Sequence, residues 1–160
     1  MSNIPLYGQN KDGGQLGDKV GSIIRCTGGA DVSLSASDSG SVIYIAGGTN
    51  GAAACSLPHI KGQDGLEFTF LLAAANGTGD FDIDARDGID FFVGSMVSVE
   101  GTNDVGIDFD GSSHDQLTLA ASKGAAGDRV HMVSCEGKWY IDGVTNDQDG
   151  WAVGTASANA

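Results

Sequence analysis

A chain of 160 residues fits one domain, large enough to bury about two thirds of the surface that its unfolded form exposes. With 21 acidic residues against 8 Lys plus Arg, a formal charge of −13 and nowhere 18 apolar residues in a row, the sequence argues against nucleic acid, an anionic membrane surface and a spanning helix. Its 26 glycines against 2 prolines, with Ala, Ser, Thr, Val and Asp filling much of the rest, favour strands and tight turns.

The opening MSNIPLYGQNKDGG has no basic cluster leading into an apolar core, so a soluble protein made in the cytosol is expected. NKDGGQLGDKVG has little to bury and no alternation. Residues 1–22 are therefore expected to form an extended arm, equally readable as a frayed terminus, ahead of a β-sandwich domain over residues 23–160.

Short apolar runs broken by Gly, Asp, Asn and Ser then predict strands in chain order: DVSLSA (31–36), SVIYIA (41–46), AAACSL (52–57), LEFTFLLA (66–73), DFDIDA (80–85), IDFFVG (89–94), VGIDFD (105–110), DQLTLAA (115–121), DRVHMVSC (128–135), KWYID (138–142) and WAVGTAS (151–157). The helix-tolerant run LLAAANG (71–77) is too short to stand alone, and no repeat of 20 to 50 residues appears. Without a segment that could serve as a crossover helix, the expected fold is all-β: an antiparallel two-sheet sandwich, jelly-roll-like, with the extended N-terminal arm.

GDRVHMVSCEGKWYIDG (127–143) gathers a Trp, a Cys and a His beside a turn. A two-residue loop at Glu136 and Gly137 would set Cys135 opposite Lys138, Val133 opposite Tyr140 and His131 opposite Asp142. Val130, Met132, Trp139 and Ile141 would then share one face. A three-residue loop with Gly137 left-handed would shift the pairing by one and split that set, so the even register gives the better apolar face. Trp139 then reads as a core anchor, and His131 with Asp142 as a cross-strand charge pair rather than an acid/base pair.

Elsewhere no chemical motif survives. Cys26, Cys55 and Cys135 are odd in number and lack C-x-x-C spacing; each reads as a small buried hydrophobe, not as a disulfide or zinc ligand. The pattern G-x-S-x-G is absent, and His59 after SLP and His114 in GSSHD read as loop histidines. No dinucleotide or P-loop glycine motif occurs. Asp80, Asp82 and Asp84 alternate with Phe81, Ile83 and Ala85, and could gather calcium if Asp87, Asp108 or Asp110 came near. EF-hand spacing fails, however, because Ala85 stands at the turn-glycine position and Phe91 at that of the bidentate glutamate. A solvated outer face is the preferred reading of the aspartate row. A glycosidase carboxylate pair lacks an aromatic-lined cleft, and NDQDGW (146–151) reads as a polar turn. Catalytic, cofactor-binding and metal-binding residues are accordingly expected to be none.

Four pieces in order, SLSASDSGSVIYI, CSLP, GLEFTFLLA and GDRVHMVSCEGKWYIDG, together resemble small β-sandwich virion proteins of tailed, chiefly marine, bacteriophages. The matching features are the turn at Asp38 to Gly40, the strand end at Leu57 and Pro58, the Gly-Asp-x-Val of Gly127 to Val130, and Trp139 with Tyr140; Gly137 stands one position later than in that pattern. The resemblance spans roughly residues 33–143 and rests on the order of individually weak motifs. It implies a non-enzymatic capsid decoration (cement) protein that binds the outer surface of the major capsid protein lattice and stabilises the head. It further implies a homotrimer, made in the host cytoplasm and located on the capsid exterior of the virion. Two alternatives stay open. A tail-fibre or tail-tip sandwich module that binds carbohydrate would expose aromatics, Trp151 first. A calcium-dependent adhesin module would need the aspartate row for folding.

Overall fold

The computed structural model describes residues 22–27, 29–46, 52–75, 77–85, 89–99, 105–147 and 149–154. Twelve strands make up almost all of its regular structure: β1 (Ile23–Cys26), β2 (Val32–Ser33), β3 (Ser41–Ile45), β4 (Ala53–Ser56), β5 (Glu67–Leu72), β6 (Phe81–Asp84), β7 (Phe91–Ser98), β8 (Val105–Asp110), β9 (Gln116–Leu119), β10 (Arg129–Cys135), β11 (Lys138–Thr145) and β12 (Trp151–Gly154). The eleven expected strands are all present, and β1 is an addition to them. Its IIRC run is short, but β3 supplies a parallel partner, with Ile24 beside Ile43 and Cys26 beside Ile45. Ser22, counted with the arm, joins the same pairing: Val42 N donates to its carbonyl at 3.0 Å, and its hydroxyl meets that of Ser41 at 2.6 Å. The rest of the expected arm, residues 1–21, lies outside the described residues.

The strands form a two-sheet sandwich, as expected. One sheet has seven strands in the order β1-β3-β5-β10-β11-β7-β8, and the other has five, β12-β9-β6-β4-β2. Strand direction corrects the antiparallel, jelly-roll-like expectation. The pairs β1–β3, β3–β5, β2–β4, β4–β6 and β7–β11 are parallel, so both sheets are mixed. A parallel pair needs a crossover on one face of the sheet, a task that helices usually perform. Here the crossover is a strand of the opposite sheet: β2 lies between β1 and β3 in the chain, β4 between β3 and β5, and β3 between β2 and β4. The first half of the chain thus coils between the two layers, and the second half adds the antiparallel pairs together with the parallel β7–β11 pair.

Period-two alternation fills the space between the sheets. Ile43, Phe68, Phe70, Val130, Met132 and Trp139 point in from the larger sheet, and Cys55, Ile83, Leu117 and Leu119 from the smaller; each has no exposed surface. The Trp139 and Phe68 rings lie 5.8 Å apart, tilted by 48°. The β10–β11 hairpin takes the even register, pairing His131 with Asp142, Val133 with Tyr140 and Cys135 with Lys138. Its loop residues Glu136 and Gly137 both have positive φ, 49° and 73°, the mirror-image turn that suits strand twist. In β7, Gly94 has φ +130°, and a Cβ there would strike the Ile141 carbonyl of β11, so this parallel pairing requires glycine.

Candidate functional site

Two of the three histidines and the aspartate row are engaged in intramolecular hydrogen bonds. His131 sits on the outer face of the seven-stranded sheet, Nε2 at 2.9 Å from Glu67 Oε1 and Nδ1 at 3.3 Å from Asp142 Oδ1. The Glu67 hydrogen bond above all raises its pKa. This is the expected cross-strand pair with a second carboxylate added by β5. His59 Nδ1 meets Asp90 Oδ2 at 2.8 Å, and the same oxygen accepts from Ile60 N at 3.1 Å. Asp90 is buried, so this pair fixes the turn after Pro58. The His114 ring meets Phe109 edge-on, with centroids 6.3 Å apart. The three histidines lie on β10 and in two separate loops, after β4 and after β8.

The aspartate row faces outward on β6 and is held by donors from β9 and just beyond it. Thr118 Oγ1 donates to Asp82 at 2.6 Å, Gln116 Nε2 to Asp84 at 2.9 Å and Ala121 N to Asp80 at 2.7 Å. Partial burial pushes the Asp84 carboxyl above its usual range, and the Asp82 charge adds to this. Asp108 and Asp110 lie on β8 of the other sheet, and Asp87 lies outside the described residues. Asp110 instead takes Ser112 N, Ser113 N and the Ser113 hydroxyl at 2.8, 3.0 and 2.6 Å, which holds its pKa well below the carboxylate range. No group of three or more His, Cys, Asp or Glu that could hold a metal ion occurs among the described residues.

Cys26 and Cys55 are buried as expected, and burial pushes the Cys26 thiol up to about 11 and the Cys55 thiol higher still. Cys135 departs from that expectation: it is exposed at the end of β10, because its side alternates away from the Trp139 face. Trp151, the aromatic singled out for sugar contact, is 3% exposed and belongs to the core.

Asp128, the acidic residue of the Gly-Asp-x-Val motif, organises the end of the sandwich. It is fully buried; one oxygen accepts from Asn146 N and Nδ2 at 2.9 and 2.7 Å, the other from Ala125 N and Thr145 Oγ1, both at 3.0 Å. The Gly-Asp-x-Val signature therefore ties the loop before β10 to the end of β11. A lone Asp beginning an apolar strand was the available signal, and nothing local names its partners. The NDQDGW turn joins the same end, with Lys123 Nζ 3.5 Å from carboxylate oxygens of both Asp147 and Asp149.

What the sandwich leaves open are its two outer faces, and they differ. The five-stranded sheet presents small and polar groups: Ser56, Asp84 and Gln116 in one lateral row, Ala54, Asp82, Thr118 and Ala152 in the next. Across the seven-stranded sheet, pairing aligns Arg25, Tyr44, Leu71, Arg129, Val144 and Val97 in one row, and Glu67, Val133, Tyr140, Val93 and Asp110 in another. Ile23, Val97 and Tyr140 are 61%, 45% and 45% exposed, and the Arg25 guanidinium lies 4.8 Å over the Tyr44 ring. Between the two rows runs a mostly polar one, Val42, Thr69, His131, Asp142, Ser95 and Asp108, so apolar and charged groups are interleaved across this face.

No family model matches the chain, and no curated protein or solved structure matches it significantly.

Proposed function

We propose that this chain is a non-enzymatic virion structural protein of a tailed phage, a capsid decoration protein that binds the outer surface of the major capsid protein lattice as a self-associating subunit and stabilises the head. The observation that carries this reading is a two-sheet β-sandwich whose His59, His131 and aspartate row are bonded internally, with Ile23, Val97 and Tyr140 left exposed on the outer face of the seven-stranded sheet. The ordered resemblance of residues 33–143 to small phage virion sandwiches supports the location, and the charge of −13 accords with a protein kept off the packaged genome. The burial of Trp151 removes the aromatic that favoured a sugar-binding tail module.

The test is location and copy number. Labelled antibody and quantitative mass spectrometry on intact particles are expected to find many copies spread over the head, and purified protein is expected to add to heads stripped of it. A few copies at the tail tip would overturn the head assignment, and absence from particles would overturn the virion reading.

A further inference from the structure

On the outer face of the seven-stranded sheet, one histidine stands between two carboxylates that come from different strands. His131 of β10 has Nε2 at 2.9 Å from Glu67 Oε1 of β5 and Nδ1 at 3.3 Å from Asp142 Oδ1 of β11. A neutral imidazole carries a single N–H, so it can donate to one of these carboxylates and must turn a lone pair toward the other, whereas the imidazolium donates to both. The arrangement is complete only in the charged form. Because the two ring nitrogens point apart, the trio does not close on a metal ion. The other groups around the ring do not replace that proton. Thr69 of β5 pairs directly with His131, Arg129 and Val133 flank it on β10, and Tyr140 and Val144 flank Asp142 on β11. Val42 lies beyond Thr69 on β3, and Ser95 and Asp108 lie beyond Asp142 on β7 and β8. Arg129, a cation on the same face, has no ion-pair partner among the described residues.

We propose that Glu67, His131 and Asp142 form a proton-operated clasp across β5, β10 and β11, closed when His131 is an imidazolium and opened on the β11 side when it loses a proton. The Glu67 link is the shorter, and the Glu67 and Asp142 side chains are 55% and 83% exposed, so Glu67 keeps the remaining N–H and Asp142 is released to water. The clasp reaches beyond the hairpin. Glu67 N donates to Ser39 Oγ at 3.0 Å and its carbonyl accepts from Gly40 N at 2.7 Å, so the residue that holds the histidine also holds the turn leading into β3. The hydrogen bond to Glu67, and after it the bond and charge of Asp142, raise the pKa of His131 against the opposing effect of burial. A folded value above the unfolded one of about 6.5 makes the stabilisation whole below about pH 6.5, and it is lost as pH rises through the folded value. All three side chains meet solvent, so salt screens the effect. The clasp belongs to the fold and does not depend on the virion reading.

Ring-nitrogen NMR on the full chain follows the titration, with the His131 signals identified by their loss in His131→Gln. The expected midpoint lies above about pH 6.5, with both ring nitrogens protonated below it and the Nε2–H form left above it. Glu67→Gln is expected to lower that midpoint most and Asp142→Asn to lower it less. In thermal melts from about pH 5.5 to about pH 9, the parent is expected to lose melting temperature relative to His131→Gln as pH passes the midpoint, and the difference to shrink in about 1 M salt. A midpoint at or below about 6.5, or a parent whose melting follows pH as His131→Gln does, would overturn the proposal. A neutral form that keeps its proton on Nδ1 would overturn the opening at Asp142.

Discussion

Asp128 and Asp84 show opposite uses of a carboxylate. The buried Asp128 has four donors aimed at it from two loops, so its charge is compensated where it stands. Removing it takes the acceptor from Asn146 N, Asn146 Nδ2 and Ala125 N and leaves Thr145 Oγ1 with the Asp147 carbonyl alone, and hydrogen bonds to charged groups are each worth about 1.5 to 3 kcal/mol. Asp128→Ala is expected to lose about 3 kcal/mol or more of stability in urea unfolding, with the loop before β10 losing amide protection first. Asp84 is half-buried and has one side-chain donor, Gln116, and its folded-state pKa is raised by burial. A carboxyl whose folded pKa lies above its unfolded value destabilises the fold while ionised. Below about pH 4 it is protonated in both states and the penalty vanishes. Asp84→Asn keeps an oxygen for Gln116 and is expected to melt slightly higher than the parent at pH 7, by a few tenths of a kcal/mol after solvent screening. That advantage is expected to disappear as pH falls below about 4, which parallel melts across pH would check.

At the scale of elements, the β10–β11 hairpin and the β6–β9 pair make separable predictions. Trp139 is fully buried against Phe68 on a face shared with Val130, Met132 and Ile141. Trp139→Ala should cost about 3 to 5 kcal/mol, measured by denaturant midpoint, because the cavity it leaves is bounded by two rigid layers. The hairpin was legible in advance because its turn is two residues long and its alternation admits one register that keeps four apolar groups together. The aspartate row was legible as an outer face, but its β9 donors were not, since Thr118 and Gln116 lie far along the chain from Asp82 and Asp84. With those oxygens already hydrogen-bonded and Asp108 and Asp110 on the other sheet, melting temperatures in EDTA and in millimolar calcium are expected to agree. A metal at about 100 times its dissociation constant would add about 2.7 kcal/mol and shift the melt by several degrees.

For the whole molecule, Ser22, the last residue of the expected arm, is bonded to β3 through its carbonyl and hydroxyl. Deletion of residues 2–21 is therefore expected to leave a cooperative melt and a β-type circular dichroism spectrum, and to reduce occupancy on stripped heads. The expectation rests on the NKDGG segment's small apolar surface, which offers little to offset ordering entropy. Equal occupancy by the truncated protein would remove the attachment role, and loss of folding would make the segment part of the domain.

The sequence by itself determined the all-β class, the eleven strands from β2 onward, the hairpin register and the inward set around Trp139. Each follows from side-chain alternation and turn chemistry within a few residues, and these act wherever the chain goes. Only the packed structure shows that half the strand pairs are parallel, that IIRC is a strand, that Asp128 ties two loops, and that Cys135 faces out while Trp151 is buried. All of these depend on which distant segment lies alongside. A strand's pattern states which side chains share a face, but which face is covered, and by what, is settled only when the opposite layer packs down. The coil of β1 through β6 makes the point most plainly, because each crossover strand serves its own sheet and also links two strands of the other.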